Sequence, residues 1–172
     1  MKTVSDELKE LYSRIDAETA RLGEIHGARL NCHRGCAGCC VDEITVFEVE
    51  AENIRANHAD LLAAGEPHET GKCAFLNDEG SCRIYESRPY VCRTQGLPLR
   101  WLEEIDEDIY ELRDICPLND AGEPIEELDE NLCWTIGEAE ENLAAIQFQK
   151  DGGEMRRVGL RDLFLESKTI RD

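Results

Sequence analysis

One stretch of nine residues constrains this chain more than any other, and it reads Cys32-His33-Arg34-Gly35-Cys36-Ala37-Gly38-Cys39-Cys40. Two cysteines separated by two residues can bind one metal ion from a tight turn, because thiolates are good ligands for soft and borderline metals. Neighbouring side chains of an extended segment point to opposite sides. Cys39 and Cys40 are therefore poorly placed to bind one small ion together. The stretch predicts a metal site, and the adjacent pair suggests a cluster, two metals, or one ligand beside one free thiol.

The cysteine count bears on the cellular compartment. The 172-residue chain contains 9 cysteines, which in a secreted protein would predict disulfides. The N-terminal sequence has no apolar signal core, however, and no apolar run is long enough to span a bilayer. We therefore expect a cytoplasmic protein without a membrane partner. In that reducing compartment, metal ligation explains the cysteines better than disulfides do.

Charge is distributed unevenly along the chain. The net charge of −19 argues against a nucleic-acid partner. Residues 103–142 contain sixteen Asp or Glu and one base, so this acidic face is a candidate surface for a protein partner. Residues 25–41 contain two arginines and no acid, and residues 72–100 contain five bases against three acids. We interpret these cations as stabilising ionised sulfur. The alternative is that they make ordinary surface contacts.

The spacing of apolar residues predicts helices in the N-terminal part of the chain. Residues 4–26 predict a long amphipathic helix, with Thr3–Asp6 as its capping pair. Residues 41–47 are apolar enough for a short strand. A second capping signature, Thr45–Glu48, predicts that a helix begins there and extends over 48–57.

Two short apolar runs around a glycine-containing turn predict a β-hairpin that carries Cys73 and Cys82 on opposing strands. Pro89 suits the first position of a short helix that contains Cys92. Further along the chain we expect extended segments around an acidic loop over 97–116, and helices over 124–134, over 135–150 and around 160–164.

These elements together predict an α+β fold, a small metal-stapled domain that is mainly helical, with a short β-hairpin and irregular cysteine-bearing loops. A single domain is expected over 1–172. It would consist of an N-terminal helix over 1–28, a cysteine-cluster core over 30–118 and an acidic helical part over 119–172.

Five separated blocks of the sequence occur in an order that is similar to a known family. They are Cys32–Cys40, Cys73-Ala74-Phe75-Leu76, Cys82-Arg83-Ile84-Tyr85, Arg88-Pro89 with Cys92-Arg93, and Cys116-Pro117. This pattern resembles the YkgJ-type cysteine-cluster family, also described as the CxxCxxCC "putative zinc- or iron-chelating domain", whose members are often labelled iron–sulfur proteins. One departure is that three residues, not two, separate Cys32 from Cys36.

Spacing and resemblance together give eight candidate metal ligands, enough for two four-thiolate sites or for one cluster with spare thiols. They are Cys32, Cys36, Cys39, Cys40, Cys73, Cys82, Cys92 and Cys116. The ninth, Cys133, lies between Leu132 and Trp134 and is predicted to be a small apolar core residue.

Three functions fit these observations. The first is an iron–sulfur or iron protein with a redox or electron-transfer role, supported by the number of thiols and by the adjacent cysteine pair. The second is a zinc-binding module, structural or metal-delivering and without catalysis, because four-cysteine zinc sites use the same ligands. The third is an adaptor that binds a partner through its acidic face. The sequence contains no nucleotide loop, metalloprotease helix or Ser/His/Asp arrangement, so it names no reaction.

Overall fold

The computed structural model describes residues 3–169, and the side chains of residues 3–166. Its α-helices are Val4–Ile25 (α1), Glu48–Asn57 (α2), Ala59–Ala64 (α3), Tyr90–Arg93 (α4), Glu138–Asp151 (α5) and Asp162–Thr169 (α6). Its strands are Thr45–Phe47 (β1), Leu99–Ile105 (β2), Asp108–Asp114 (β3), Trp134–Thr135 (β4) and Arg157–Gly159 (β5). Single 3-10 turns occur at Tyr85–Ser87, Pro117–Asn119, Ile125–Glu127 and Glu130–Leu132. The fold is α+β, as predicted.

The long N-terminal helix begins where its capping residues predict. The backbone N–H of Asp6 donates to Thr3 Oγ1 at 3.1 Å, and the backbone N–H of Thr3 donates to Asp6 Oδ2 at 3.1 Å. These reciprocal bonds satisfy two N–H groups that the first turn leaves without helical partners. The buried stripe of α1 includes Leu8, Leu11, Ile15 and Leu22. The predicted helix over 4–26 is confirmed.

The chain divides into two compact units, each assembled from separate segments. The first unit contains Met1–Lys9, His33–Pro89 and Ala144–Asp172, and the second contains Glu10–Cys32 and Tyr90–Leu143. The prediction of one domain over 1–172 stays a prediction.

The first unit is built around a small apolar core. Strand β1 pairs antiparallel with β5, with Val46 opposite Val158. The Phe75 and Phe164 rings lie 5.0 Å apart between centroids, and both side chains are fully buried. Helix α2 has the predicted bounds, but Thr45 lies in β1 and no side chain caps the helix. The predicted capping role of Thr45 is therefore wrong.

The predicted hairpin around Cys73 and Cys82 does not form strands. A single isolated bridge joins Leu76 to Cys82, and a turn separates them. The Asn77 side chain accepts hydrogen bonds from the backbone N–H groups of Glu79 and Ser81 at 3.1 and 2.8 Å. These bonds favour a tight asparagine turn over two extended arms.

The β-hairpin of this protein lies in the second unit, where the sequence predicts only extended chain around an acidic loop. Strands β2 and β3 pair over seven residues, and β4 adds to β2 in parallel. The hairpin turn is Asp106–Glu107, whose φ angles of 52° and 71° are both positive. Such angles at both central residues fit a type I′ turn, which matches the twist of the flanking strands.

The helix predicted over 124–134 is wrong, because this segment forms two 3-10 turns separated by extended residues. The Arg113 guanidinium explains the interruption, since its Nη1 donates to the carbonyl oxygens of Ile125 and Leu128 at 2.6 and 2.5 Å. Carbonyls that bind an arginine in this way are not arranged in a helical ladder.

The two C-terminal helices, α5 and α6, form where the sequence predicts them, but the first residue of α5 differs from the prediction. Helix α5 begins at Glu138 instead of Thr135, which belongs to β4. The Glu140 side chain accepts a hydrogen bond from the Gly137 backbone N–H at 2.7 Å, which caps the helix. Among residues 3–169, no helix is long and apolar enough to cross a membrane.

Candidate metal centre

The nine cysteines are divided between the two units. The first unit holds Cys36, Cys39, Cys40, Cys73 and Cys82. The second unit holds Cys32, Cys92, Cys116 and Cys133. All nine lie within the described residues, and none of them forms a disulfide.

Two backbone turns shape the cysteine loop of the first unit. The N–H of Cys36 donates to the His33 carbonyl at 3.0 Å, and the N–H of Cys40 donates to the Ala37 carbonyl at 3.1 Å. Gly35 has a φ of 91°, a left-handed conformation that favours glycine. Each turn thus brings the backbone of one cysteine close to the backbone of the residue three positions before it.

The adjacent pair Cys39–Cys40 contains a thiol with a lowered pKa. A hydrogen bond from the Cys40 thiol lowers the pKa of Cys39 to about 6, and partial burial opposes this shift only in part. Cys39 is exposed, whereas Cys40 is half-buried against the apolar core. Cys39 is therefore largely a thiolate at neutral pH, the form in which a cysteine binds metal.

Cys73 and Cys82 have the opposite character. Burial raises the pKa of both thiols. Arg83 lowers both pKa values, as we predicted for the cations near the cysteines, but burial outweighs it. The backbone N–H of Cys73 donates to the Cys40 carbonyl at 3.0 Å, which ties the second cysteine segment to the first.

A partly buried ion pair holds the same two segments together. The Arg161 guanidinium binds the Asp42 carboxylate through two hydrogen bonds of 3.0 and 2.9 Å. It also donates to the carbonyl oxygens of His68 and Lys72 at 2.7 and 2.9 Å. These contacts lower the pKa of Asp42 to about 2, with the Arg161 hydrogen bond as the main cause. One side chain thus fixes the chain two residues after Cys40 and one residue before Cys73.

In the second unit the neutral side chain of Asn119 joins two cysteine segments, as Arg161 does in the first unit. Asn119 is fully buried, and its Nδ2 donates to the Gly96 carbonyl at 2.8 Å and to Cys32 Sγ at 3.4 Å. Its Oδ1 accepts a hydrogen bond from the Asn31 backbone N–H at 2.8 Å. Its own N–H donates to the Cys116 carbonyl at 2.7 Å. Asn119 therefore connects the segments of Cys32 and Cys116.

Gly96 allows this close packing. Its φ is 92°, and a Cβ at this position would lie 2.5 Å from Cys32 Sγ and 3.1 Å from Asn119 Nδ2. Only glycine fits such an approach without displacing the thiol.

The remaining cysteines of the second unit occupy different settings. Cys92 is half-buried in α4, next to a buried Arg93 that pairs with Asp16 at 2.6 Å.

Cys133 is 4% exposed and packs with Ile115 and Leu128 in an apolar cluster. Burial raises the pKa of its thiol. Its position in an apolar core agrees with the sequence-based expectation.

The donor set suits zinc or iron, which thiolates bind well. The arrangement is not a closed cage, however. Among residues 3–169, no three Cys, His, Asp or Glu side chains come together closely enough to hold a metal ion. The first unit instead holds a thiolate-forming pair at Cys39–Cys40, together with the buried thiol of Cys73 and the half-buried thiol of Cys82. The residues fit a metal in their chemistry, and binding requires their side chains to turn toward one another.

Sequence reasoning did not identify Arg161, Asp42 or Asn119. Each is an ordinary polar residue of a type that does not mark a metal site, although Asp42 and Asn119 lie two and three residues after a cysteine. The Arg161–Asp42 bonds join residues 119 positions apart, and the Asn119–Cys32 contact joins residues 87 positions apart. Only the path of the chain reveals them.

The comparisons with known proteins agree with the cysteine blocks. No curated protein and no solved structure matches this chain. A model of a protein family matches residues 31–117, about half of the chain and all eight candidate ligands. On this match, the chain belongs to the CxxCxxCC family, described as a "putative zinc- or iron-chelating domain".

Proposed function

We propose that this protein binds an iron–sulfur cluster or iron through cysteine thiolates, with Cys36, Cys39, Cys40, Cys73 and Cys82 as the ligand set of the first unit. The observation that carries the proposal is the link between the two cysteine segments, through the Cys73–Cys40 backbone bond and the Arg161–Asp42 pair. A bound iron centre would supply one-electron chemistry. The function of the chain itself is to present ionised sulfur and to exclude water from the buried thiols.

The electrostatics of the two thiol types support this proposal. Cys39 is ionised near neutral pH without a metal, so it is suited to make the first contact with a cation. Cys73 and Cys82 stay protonated until a metal displaces their protons, because burial disfavours their charged forms. Metal binding should therefore release protons and become weaker as pH falls.

Zinc is the alternative metal, in a structural or metal-delivering role without catalysis. Four thiolates in tetrahedral geometry suit zinc as well as iron. Two pockets of the described residues lie in the second unit, and no cysteine of the first-unit ligand set lines either of them. We also expect a cytoplasmic location, where thiols stay reduced.

Anaerobic purification followed by iron, sulfide and zinc analysis tests the proposal. We expect visible absorption and sulfide in the wild-type protein, and loss of both in the Cys39→Ser and Cys73→Ser variants. Cys133→Ala is the matched control, because it removes a thiol that lies in a separate apolar cluster. A colourless protein with stoichiometric zinc and no sulfide would favour the zinc alternative. A protein that binds neither metal would refute both.

The same assay applies to Cys32, Cys92 and Cys116, whose predicted ligand roles stay predictions. Serine variants at these positions should reduce the metal content if they bind metal. An unchanged content would restrict the ligands to the first unit.

An adaptor role is a second candidate, favoured by the exposed hairpin β2–β3. Its outer part carries six acids and no base between residues 102 and 111. Four apolar side chains there are exposed, namely Leu102, Ile105, Ile109 and Tyr110. A surface of this kind suits a basic, partly apolar protein segment. Affinity capture with four hairpin acids, Glu104, Asp106, Glu107 and Asp108, changed to Asn or Gln tests it. Neutralisation of four acids outside the hairpin, Glu126, Glu127, Asp129 and Glu130, is the control. If both variants capture the same partners as the wild type, the adaptor role is wrong.

A further inference from the structure

Arg29 is a buried cation without a counter-charge. Only 7% of the residue is exposed. Its Nη2 donates to the Glu123 carbonyl, and its Nη1 is buried with no hydrogen-bond partner among the described residues. No carboxylate of the described residues forms an ion pair with it. A guanidinium in this state has lost its water without gaining a compensating charge.

Arg93 of the same unit gives the contrast. It is also buried, at 6% exposure, but it binds both oxygens of Asp16 at 2.8 and 2.6 Å and lies over the Tyr12 ring. The chain has 38 acidic residues, so counter-charges are plentiful. Glu123 lines the same pocket but binds Arg29 only through its backbone carbonyl, so the missing counter-charge points to a partner that is not part of the chain.

Arg29 lines a pocket of about 320 Å³, close to the lower limit of roughly 300 Å³ for small-molecule sites. The apolar part of the wall is formed by Ile25, Ala28, Leu128 and Leu132. His26 also lines it, and its Nε2 is hydrogen-bonded to the Leu132 carbonyl at 2.6 Å. That bond places the ring proton on Nε2, since a carbonyl oxygen only accepts.

Gly122 leaves room next to the guanidinium. Its φ is 103°, and a Cβ there would lie 3.2 Å from Arg29 Nη2. A larger residue would therefore crowd the side of the guanidinium that Gly122 faces. The pocket thus combines an apolar wall, a buried cation and a glycine that keeps the cation uncrowded.

We propose that this pocket binds a small organic carboxylate with a short apolar chain. The carboxylate pairs with the planar guanidinium once the Arg29 side chain turns its buried Nη1 toward the pocket, and arginine can then donate two parallel hydrogen bonds. The apolar chain lies against Ile25, Ala28, Leu128 and Leu132. The site does not involve the candidate metal ligands of the first unit, so the carboxylate proposal and the metal proposal can be tested independently.

Titration calorimetry and thermal unfolding of the full chain test the site, with butyrate and hexanoate as probes at constant ionic strength. We expect both to bind and to raise Tm, hexanoate more than butyrate because it buries more apolar surface. Arg29→Gln should weaken binding at least tenfold. Arg21→Gln is the matched control, since Arg21 belongs to the same unit but is exposed and paired with Glu18. Its binding should equal that of the wild type.

A second measurement separates a ligand site from a structural role of Arg29. Without a carboxylate, Arg29→Met should be at least as stable as the wild type, because it removes an unpaired buried charge. Saturating hexanoate should reverse that order. Arg29→Lys keeps the charge but loses the planar fork, and should bind with intermediate affinity. The proposal is overturned if neither probe raises the wild-type Tm, if Arg29→Gln responds equally, or if hexanamide or chloride has the same effect.

Discussion

The two cysteine regions are organised by side chains of opposite character. In the first unit a charged guanidinium, Arg161, joins the segments of Cys40 and Cys73 through Asp42 and backbone carbonyls. In the second unit a neutral and fully buried amide, Asn119, joins the segments of Cys32 and Cys116. Arg161 touches no sulfur, whereas Asn119 donates directly to a thiol. The first region should therefore respond to a change of charge, and the second to the loss of a single hydrogen-bonding group.

The comparison also shows that residues outside the cysteine blocks help to hold them in place. The family match ends at residue 117, and both organising side chains lie beyond it. Turn geometry within each block positions single cysteines, and the Cys73–Cys40 backbone bond joins two blocks inside the matched segment. Arg161 and Asn119 add links from outside it. A fragment limited to residues 31–117 would lack Arg161 and Asn119.

Replacing Arg161 should have the largest effect. Arg161→Gln leaves the Asp42 carboxylate half-buried without its partner, and we expect Tm to fall by about 8 °C. Alkylation of Cys73 should become faster, because its segment is no longer held. Thermal unfolding and mass-spectrometric mapping of alkylated cysteines measure the two effects.

Arg157→Gln is the matched control for Arg161. Arg157 lies in the same unit and bonds to Thr45, away from both cysteine segments. It should lose little stability and leave the Cys73 rate unchanged. Equal rates in both arginine variants would contradict the role given to Arg161.

Asn119→Ala should have the next largest effect, a fall in Tm of about 5 °C. The buried Gly96 carbonyl loses its partner, at a cost of about 1–3 kcal/mol, and the segment of Asn31 loses its bond to the Asn119 side chain. Cys32 should become more reactive while Cys73 keeps its wild-type rate. Gly96→Ala should have a similar effect on Cys32, since its Cβ displaces the same thiol. If the Cys73 rate rises as well, the two regions are not organised separately.

The low pKa of Cys39 predicts a pH profile for its alkylation. The pKa of about 6 means that half of this thiol is ionised near pH 6, so its rate should rise through that pH and level off above it. Because the folded-state pKa of Cys39 is lowered, its thiolate stabilises the folded protein. This contribution is fully present at pH values above the usual pKa of a cysteine thiol, and it is lost as the pH falls through about 6.

Cys40→Ala removes the hydrogen bond to Cys39 and should move the midpoint of this profile up toward the ordinary range near 8.5. Cys82→Ala should leave the midpoint where it is. A midpoint that stays near 6 in the Cys40 variant would show that another group stabilises the thiolate.

The smallest effect is expected for Cys133→Ala. The change removes one buried sulfur and should cost about 1 kcal/mol of unfolding free energy. Metal content and the alkylation rates of the other cysteines should not change. Loss of metal on this substitution would identify Cys133 as a metal ligand and contradict its role as an apolar core residue.

Several elements of the fold could be predicted because their signals are local. The Thr3–Asp6 cap and the apolar stripe of α1 follow from residues within a few positions of one another. The bounds of α2 also agree with the sequence, although the capping role predicted for Thr45 is wrong. The same dependence on local signals explains why the sequence predicts a β-hairpin around Cys73 and Cys82 and not at β2–β3. Asn77 and Gly80 carry a local turn signal as clear as that of Asp106–Glu107, and only the pairing of β2 with β4 distinguishes them.

The sequence by itself determined the cysteine blocks and the family, and it limited the expected metals to iron and zinc, because these depend on residue type and spacing. The tertiary structure decided which cysteines share a unit, that Arg161 and Asn119 connect them, and that Arg29 lies buried without a counter-charge. These features depend on contacts between residues up to 119 positions apart. The physical reason is that a hydrogen bond or ion pair of this range forms only once the chain path is set, so no local pattern encodes it.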